Sequence, residues 1–507
     1  MTASPHAYPD WKAPREDGEI LVWPEPEQLL AQTHANQRAL ASATNVLVQN
    51  VPLPELRSRQ RAWIHHDDGQ PLIADGHQTE LHHAGVWVKR VLSHFAAGKI
   101  GASAAHFGVD TDAPKHLHLR WIGASEPLTD DPYLAKAPWT GLLDAPSPAH
   151  IEHLNHRLNE SHFGARPAVF DFLTSLRRLA IEQPKLAPAL TNAMHELDWS
   201  LDLRHHAMLA APIWQSDPFL VFAHHLIARA GEFAAVYNAA LADYRREKKV
   251  RSATRPMPDL VTSADAGMGA GAVELPFWLD HLDTGERTRP SAFAREDGAY
   301  ALAAPNGDEF DFEPRAPGWD AAAKLTLWLR RNQLRLSPRA LTLTMFLRMF
   351  IVDQFVHGIG GGQYDQITDR IIAAHFQILP PRFSVATGTM YLPEAVGRSR
   401  VCVPCVAQDG HRLRHALLGE RKRELVAQIE AAPRHSAQRY ETFATMHREL
   451  ATAAMNHPAI ARWEQELRDA QVREAEESAI FDRELFYCLQ PRDRLAQMIE
   501  RFSSRFS

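Results

Sequence analysis

A cluster of glycines lies in the segment QFVHGIGGGQYDQITDR, which spans residues 354–370. Glycine lets a ligand or a second backbone approach closely, and the start of a following helix presents unpaired N–H groups to an anion. The spacing differs from a P-loop and from a dinucleotide fingerprint, since Gln363 stands where the first needs Lys and the second needs Gly. The segment predicts either a tight turn between two helices or part of a ligand site. Its candidate ligand-binding residues are His357, Gly360, Gly361, Gly362, Tyr364 and Asp365.

A second group of polar residues lies in GHQTELHHAGVWVK, residues 76–89, where an apolar strand gives way to a helix. The segment GVDTD, residues 108–112, ends the next expected strand. Ligands of α/β proteins bind at the carboxyl ends of the strands, so these two strand ends predict one crevice. Two acids at i and i+2 can accept hydrogen bonds from sugar hydroxyls, hold an amine or bind Mg²⁺ through water, and solvated loop acids are the alternative. The candidates are His77 and Asp112 for catalysis, and Gly76, Gln78, Lys89 and Asp110 for binding.

A third group lies in CVPCVAQDGHRLRH, residues 402–415. The C-x2-C and H-x3-H elements have the spacing of zinc ligands, but only five residues separate them, against about 12 in a zinc finger. Cys402, Cys405, His411 and His415 are therefore weak metal candidates, and ordinary thiols beside a helix start are the alternative. We find no G-x-S-x-G, H-E-x-x-H or kinase motif set, which argues against the corresponding hydrolases, proteases and kinases.

These residues need an α/β scaffold to bring them together. Residues 70–123 read as a βαβ unit, and parallel strands require such crossovers. Ser337 as N-cap and Pro338 at the first helical position predict a buried helix that runs to the glycines, and a second helix follows them. A long amphipathic helix is expected from residue 218, then a Gly/Ala-rich loop at 263–273 and a strand in ELPFWLD. A final strand with proline at its entry is expected in PPRFSVATG.

The fold class is therefore α/β, with a parallel-sheet core, inserted helices, and a C-terminal antiparallel helical hairpin or coiled coil. A chain of 507 residues exceeds one ordinary core, so several parts are expected. The expected parts are an N-terminal arm (1–60), the first part of the core (61–125), an inserted helical segment (126–195), the second part of the core with the Gly-rich turn (196–405), and a C-terminal helical region (406–507).

Composition and charge lead us to expect no nucleic-acid or membrane partner. A net charge of −6 gives no overall attraction to nucleic acid or to an anionic membrane, and 45% hydrophobic with 23% charged residues is typical of a soluble globular protein. The first residues lack the pattern of a signal peptide, and no run approaches the ~18 apolar residues of a membrane span. Three cysteines do not form a disulfide framework. We expect a cytoplasmic protein whose partner is a small molecule.

The glycine-bearing segments together resemble the cysteine-adding enzymes (cysteine ligases) of bacillithiol biosynthesis. LSPRALTLTMFLRMFIVDQFVHGIGGGQYDQITDRIIAAHFQILPPRFSVAT is similar to that family's run of a Ser-Pro helix, a Gly-Gly turn, a tyrosine-bearing helix and a Pro-Arg strand. DGHQTELHHAGVWVKRVL resembles its Gly-Gln-Gln turn, and FGVDTD falls where it carries a Glu-Asp-His-Asp patch. The helical C-terminal region that ends in DRELFYCLQPRDRLAQMI matches its dimerising coiled coil. His77 in place of a glutamine, the reduced acidic patch and the additional Gly362 indicate a diverged relative with a different acceptor.

The resemblance implies a Rossmann-like core and a homodimer formed through the C-terminal helices. It also implies a ligase or transferase that joins an amine, such as cysteine, to a sugar-like or carboxylate substrate. His77 or Asp112 would be the base that deprotonates the amine, which must be neutral to act as a nucleophile. Backbone N–H groups at Gly360–Gly362 would hold an anionic group. The cofactor is left open, with a nucleotide among the candidates. The alternative is a nucleotide- or metabolite-binding protein without catalysis, whose coiled coil contacts a partner.

Overall fold

A computed structural model describes residues 6–161, 163, 165–252, 254–262, 271–455 and 457–507. Most of the expected Gly/Ala-rich loop, residues 263–270, lies outside the described residues. The chain divides into two compact units. Unit 1 comprises Met1–Met390 and Arg483–Ser507, and unit 2 comprises Tyr391–Asp482.

Both units are built from the following elements. The strands are β1 Ile20–Trp23, β2 Leu47–Val48, β3 Val51–Pro52, β4 Leu72–Gln78, β5 Ser103–Val109, β6 His118–Trp121, β7 Ala124–Pro127, β8 His206–Leu209, β9 Ala272–Glu274, β10 Phe277–His281, β11 Arg287–Thr288, β12 Ser291–Ala294, β13 Tyr300–Ala303, β14 Glu309–Phe312, β15 Leu334–Pro338, β16 Gln354–His357 and β17 Ser384–Gly388. The helices are α1 Pro26–Ser42, α2 Leu53–Trp63, α3 Ala84–Ile100, α4 Pro148–Asn159, α5 Val169–Glu182, α6 Leu186–Ser200, α7 Asp217–Ile227, α8 Ala230–Glu247, α9 Gly318–Arg331, α10 Ala340–Phe346, α11 Ile359–His375, α12 Val403–Ala416, α13 Gly419–Ala431, α14 Ala437–Ala454, α15 Pro458–Glu477 and α16 Arg492–Ser503.

Unit 1 is centred on a six-stranded sheet in the order β1-β17-β16-β4-β5-β8. β1 is antiparallel to β17, and the other five strands are parallel to one another. The expected α/β class and the βαβ unit β4-α3-β5 are confirmed. The sheet is buried because α3 packs on four of its strands and α11 packs on β16 and β17. Separate sheets of three strands (β11-β10-β15) and four strands (β14-β13-β12-β9) lie between α8 and α10 in sequence.

The predicted long helix before the glycines is wrong in two places. Ser337 lies in β15, opposite Trp278 of β10, and its hydroxyl donates to buried Asp280 (2.6 Å) instead of capping a helix. Helix α10 starts only after Arg339 and runs through a π-helical turn at Leu347–Ile351. The chain then becomes β16, which pairs with β4 and β17. The glycines therefore connect a strand to a helix, and the expected turn between two helices does not form.

The long amphipathic helix expected from residue 218 is also interrupted. It forms α7 and α8, which meet at an angle of 85°. Among the described residues, no single helix is long and apolar enough to cross a membrane, and only this bent pair meets the criteria of length and composition when its two helices are taken together.

Unit 2 consists of the four helices α12–α15. α12 packs on α15, and α13 packs on α14 through Leu425, Met446 and Leu450. The last 25 residues, 483–507, expected in the helical region, belong to unit 1 instead, where α16 packs on α3. The expected N-terminal arm likewise contributes β1, α1 and α2 to unit 1.

Candidate functional site at the carboxyl edge of the sheet

The topology of the sheet defines where a ligand site is expected. Numbered along the chain, the five parallel strands β4, β5, β8, β16 and β17 lie in the order 3-2-1-4-5 when read from β8. The direction of the connections reverses between β4 and β16, and ligands bind outside the carboxyl ends of the strands at such a switch point. β4 ends in Gly76–Gln78 and β16 ends in His357, one residue beyond the pair Val356–Asp75. The two predicted turns thus lie side by side.

The end of β5 joins the same edge. The Gln78 side-chain amide donates to Oδ2 of Asp112 (3.0 Å), which links the ends of β4 and β5. Burial raises the pKa of Asp112, although the hydrogen bond from Gln78 opposes this. Asp110 lies apart from this link, because its Oδ1 accepts from the backbone N–H of Ala211 (2.8 Å) beyond the end of β8. Asp110 is therefore used to join two strands.

His77 forms a pair with Glu80. Nε2 of His77 lies 3.2 Å from Oε1 of Glu80, and the other carboxylate oxygen accepts from the backbone N–H of His116. Burial lowers the pKa of His77 to about 4, against the opposing effect of Glu80. The imidazole is thus neutral at pH 7, and a proton on Nε2 leaves Nδ1 as the acceptor. Glu80 was not among the predicted site residues, although it lies only three residues after His77 in the sequence.

Lys89 is buried directly beneath the turn. Its Nζ donates to the backbone carbonyl of Gly76 (2.7 Å) and lies 3.8 Å from Oδ1 of Asp75. The same carboxylate oxygen is bonded to Nδ1 of His106 (2.8 Å). Only 2% of Lys89 is exposed, and this burial lowers its pKa to about 8. Lys89 therefore holds the β4 turn in place, and Asp75 and His106, which were not predicted, support it.

His357 is the counterpart of His77 at the end of β16. Its Nε2 is bonded to Oδ2 of Asp365 (2.7 Å), which also accepts from Arg348 (2.6 Å), and Oδ1 of Asp365 accepts from Thr344 (2.6 Å). Burial alone would raise the pKa of Asp365, but Arg348 and His357 hold it well below its usual range. Burial lowers the pKa of His357. Asp365, predicted to bind substrate, is therefore engaged in orienting His357.

The three glycines at the start of α11 have different surroundings. A Cβ at Gly361 would lie 2.7 Å from Nδ1 of His357, and a Cβ at Gly362 would lie 2.6 Å from Cγ2 of Val385. A Cβ at Gly360 would meet no atom within 4 Å. The first N–H groups of a helix have no partner within it, so the open side of Gly360 is where an anion could approach α11. Tyr364, one turn further on, is 38% exposed.

Two of the cavities formed by the described residues lie towards opposite ends of the parallel strands. One of about 240 Å³ lies next to the Glu80–His116 contact and is lined by Lys115, His116, His118 and Arg120, among others. Its lining carries the cations Lys115 and Arg120 and the carboxylate Glu484. The other, of about 680 Å³, lies at the opposite edge, where Leu72, Ser103 and His206 start or nearly start their strands.

The four weak metal candidates have other partners. Cys402 and Cys405 are joined by a disulfide, so neither sulfur is available as a thiolate ligand in this state. Nε2 of His411 and Nε2 of His415 lie 2.9 Å apart on α12. Among the described residues, no group of three or more His, Cys, Asp or Glu side chains is arranged to hold a metal ion.

The carboxyl edge thus combines a neutral His77, which Glu80 orients, with the carboxylate of Asp112, which is bonded to the end of β4. The N-terminus of α11, where no atom of the described residues lies close to the open side of Gly360, completes the edge. Such an arrangement can bind a small polar molecule with an anionic group and can accept a proton from it. The sequence matches no protein-family model and no curated protein.

Proposed function

We propose that the protein is an enzyme that joins an amine, such as that of cysteine or another amino acid, to a small sugar-like or carboxylate substrate at the carboxyl edge of a Rossmann-like core. The observation that carries this proposal is the convergence at the switch point, where the ends of β4 and β5 and the start of α11 meet. The 3-2-1-4-5 order of the parallel strands supports the Rossmann-like description.

Each group has a role in the proposed reaction. The attacking amine must lose a proton, and Nδ1 of His77 or the carboxylate of Asp112 accepts it. Glu80 holds the His77 ring in the tautomer that leaves Nδ1 free to accept, as their 3.2 Å contact indicates. The N–H groups beside Gly360 hold the anionic group of the acceptor, and Lys89 keeps the β4 turn in register.

The resemblance to the bacillithiol cysteine-adding enzymes agrees with this chemistry, and we propose that the chain is a diverged relative of that family. A nucleotide is the proposed additional ligand, because Lys115 lines the cavity next to Glu80 and its ammonium group could bind a phosphate group.

Product detection tests the proposal. Purified full-length protein is incubated with amino-acid donors and with amino-sugar or carboxylate acceptors, with and without ATP, and products are identified by mass spectrometry. We expect a condensed product, and we expect His77→Ala to lower kcat/KM by about 10²–10⁴-fold, the usual contribution of a general base. His156→Ala, on a side chain that is 71% exposed, is the control and keeps full activity. Full turnover by His77→Ala would show that His77 is not the base.

One observation favours a second candidate, a metabolite-binding protein without catalysis. An imidazole with a pKa near 4 is a weak base, and efficient proton transfer needs a pKa closer to the working pH. A thermal-shift screen with nucleotides and amino sugars separates the candidates when it is combined with product detection. Stabilisation by a ligand without product under any of these conditions would favour the binding protein.

We also propose that the chain forms a homodimer through the helices of unit 2, including a coiled-coil contact. The supporting observation is a set of large apolar side chains that unit 2 leaves exposed, namely Tyr440 (71%), Phe443 (49%), Met455 (70%) and Val472 (57%). Tyr440 and Phe443 are three residues apart on α14 and therefore share one face of that helix, and exposed apolar side chains on one face are typical of protein–protein contacts.

A further inference from the structure

The disulfide of unit 2 lies at the start of a helix. Cys402 is the N-cap residue of α12, and its Sγ accepts from the backbone N–H of Cys405 (3.2 Å). Both cysteines are exposed, and their Cα atoms lie 5.2 Å apart. Neither the proposed carboxyl-edge site nor the zinc hypothesis uses this bond.

The position of the bond argues against a purely structural role. A disulfide stabilises a fold mainly by closing a long loop of the unfolded chain, and this one joins residues only three apart. It also joins one turn of backbone to itself, since the N–H of Cys405 already bonds the carbonyl of Cys402 (3.0 Å). Its accessible sulfurs leave it open to thiols in solution.

The third cysteine, Cys488, is buried and unreactive, unlike the exposed pair. Cys488 is fully buried, and this burial raises the pKa of its thiol well above the usual range. A thiol reacts as its thiolate, so Cys488 is inert under conditions where an exposed thiol at a helix N-terminus is reactive.

We propose that Cys402 and Cys405 form a redox-active pair that exchanges with low-molecular-weight thiols and disulfides. A helix N-terminus stabilises a thiolate, and a C-x-x-C pair places a second thiol within reach of the first. Cys402, which occupies the N-cap and accepts the N–H of Cys405, is the attacking residue. Cys405 is the resolving residue.

The exchange is balanced as follows. In the reduced pair, the Cys402 thiolate attacks one sulfur of a small disulfide, forms a mixed disulfide with it and releases the other half as a thiolate. The Cys405 thiolate then attacks Sγ of Cys402 and releases the second half. The two electrons of the dithiol reduce the small disulfide to two thiols, and the protein returns to the disulfide form seen in the structure. In the reverse direction, two small thiols reduce the protein disulfide.

A neighbouring cavity suits a small partner. A space of about 630 Å³ in unit 2 begins at Ala407, two residues after Cys405, and is lined by His411, Arg414 and Trp463, among others. The indole of Trp463 donates to the carbonyl of Val406 (2.7 Å), so this wall is fixed to the first turn of α12. A cavity of this size holds a small molecule and is too small for a protein domain.

Trapping experiments on the full-length protein test the proposal with glutathione and its disulfide as probes. The wild-type disulfide is expected to open and close reversibly as the ratio of the two probes is varied, followed by alkylation and mass spectrometry. The reduced Cys405→Ser variant is expected to accumulate a glutathione adduct on Cys402, since no resolving thiol remains. The reduced Cys402→Ser variant is expected to form its adduct at least about tenfold more slowly, because Cys405 lacks the N-cap position.

Controls exclude loss of folding and a different substrate. Cys488→Ala is expected to exchange as the wild type does, and circular dichroism checks that every variant is folded. Equal adduct rates for the two single variants, or a wild-type disulfide that does not exchange with glutathione, would overturn the proposal. Reduction of insulin disulfides faster than glutathione disulfide would overturn the assignment to small molecules.

Discussion

Three histidines at the carboxyl edge are each bonded to a carboxylate, in the pairs His77–Glu80, His106–Asp75 and His357–Asp365. Each carboxylate holds one ring nitrogen, which sets the tautomer and the orientation of the ring. The pairs differ in whether they could be predicted from the sequence. His77 and Glu80 are three residues apart, whereas His106 and Asp75 are 31 apart and meet only because β4 and β5 are adjacent.

The buried position of Lys89 predicts how the free energy of unfolding depends on pH. Its pKa is about 8 in the folded protein, below the 10.5 of an ordinary lysine, so the unfolded chain binds the additional proton between these two values. The contribution of Lys89 to the free energy of unfolding therefore rises from pH 8 to 10.5, by about 3 kcal/mol at most. We expect the difference in this free energy between the wild type and Lys89→Met to grow across the window, as measured by urea unfolding at several pH values. Lys99→Met, on the exposed side of the same helix, serves as control and shows no such trend. A difference that is constant with pH would contradict the lowered pKa of Lys89 in the folded protein.

Among the elements, β16 was the least predictable and has the largest consequence. Its four residues, Gln354–His357, follow a run of apolar residues. That run has no periodicity that would distinguish a buried strand from a buried helix. These residues form a strand because their backbone pairs with β4 on one side and with β17 on the other. The glycines then begin α11 beside the β4 turn, which is the position that makes them relevant to a site.

Alanine substitutions at the start of α11 distinguish a glycine packed against a neighbour, Gly362, from one with open space beside it, Gly360. Gly360→Ala is expected to raise the free energy of unfolding by up to about 1 kcal/mol, because alanine favours the helix and its Cβ meets no neighbour. Gly362→Ala is expected to lower it by about 1–3 kcal/mol, because its Cβ would overlap Val385. Urea unfolding of both variants beside the wild type measures this contrast. Equal stabilities for the two variants would show that the start of α11 is not packed as described.

At the scale of the whole molecule, Asp353 joins parts of the chain that are far apart in sequence. Its buried carboxylate accepts from Arg57 and Arg61 of α2 and from the backbone N–H of Leu72 at the start of β4. Arg57 is 4% exposed and Arg61 is fully buried, so both guanidinium groups depend on this one carboxylate for much of their compensation.

Asp353→Ala is expected to lower the free energy of unfolding by about 3–5 kcal/mol, because it leaves two buried cations without their shared partner. Urea unfolding followed by tryptophan fluorescence measures the loss. Asp409→Ala removes a carboxylate that is 68% exposed and is expected to change the value by about 0.5 kcal/mol or less. A similar effect from both variants would argue against the α2 contact.

The proposed dimer is tested by light scattering coupled to size-exclusion chromatography. We expect the wild type to elute with twice the mass of one chain. The double variant Tyr440→Glu with Phe443→Glu is expected to elute as a monomer, because two charges would be placed on one face of α14. Leu379→Glu, equally exposed but in unit 1, is the control and stays dimeric. A wild-type monomer at high concentration would rule out the dimer.

The sequence by itself determined the α/β class, the βαβ unit at its start and the presence of a glycine segment at a helix start, because turn residues and apolar periodicity act over neighbouring residues. Only the tertiary structure decided that residues 354–357 form a strand, that Ser337 bonds Asp280, and that Asp365 and Asp110 are engaged by Arg348 and Ala211. These choices depend on partners from 17 residues away, as for Arg348 and Asp365, to 281 residues away, as for Ile73 and Gln354. Short apolar runs and lone acids carry no local signal for such partners, since burial and strand order select them.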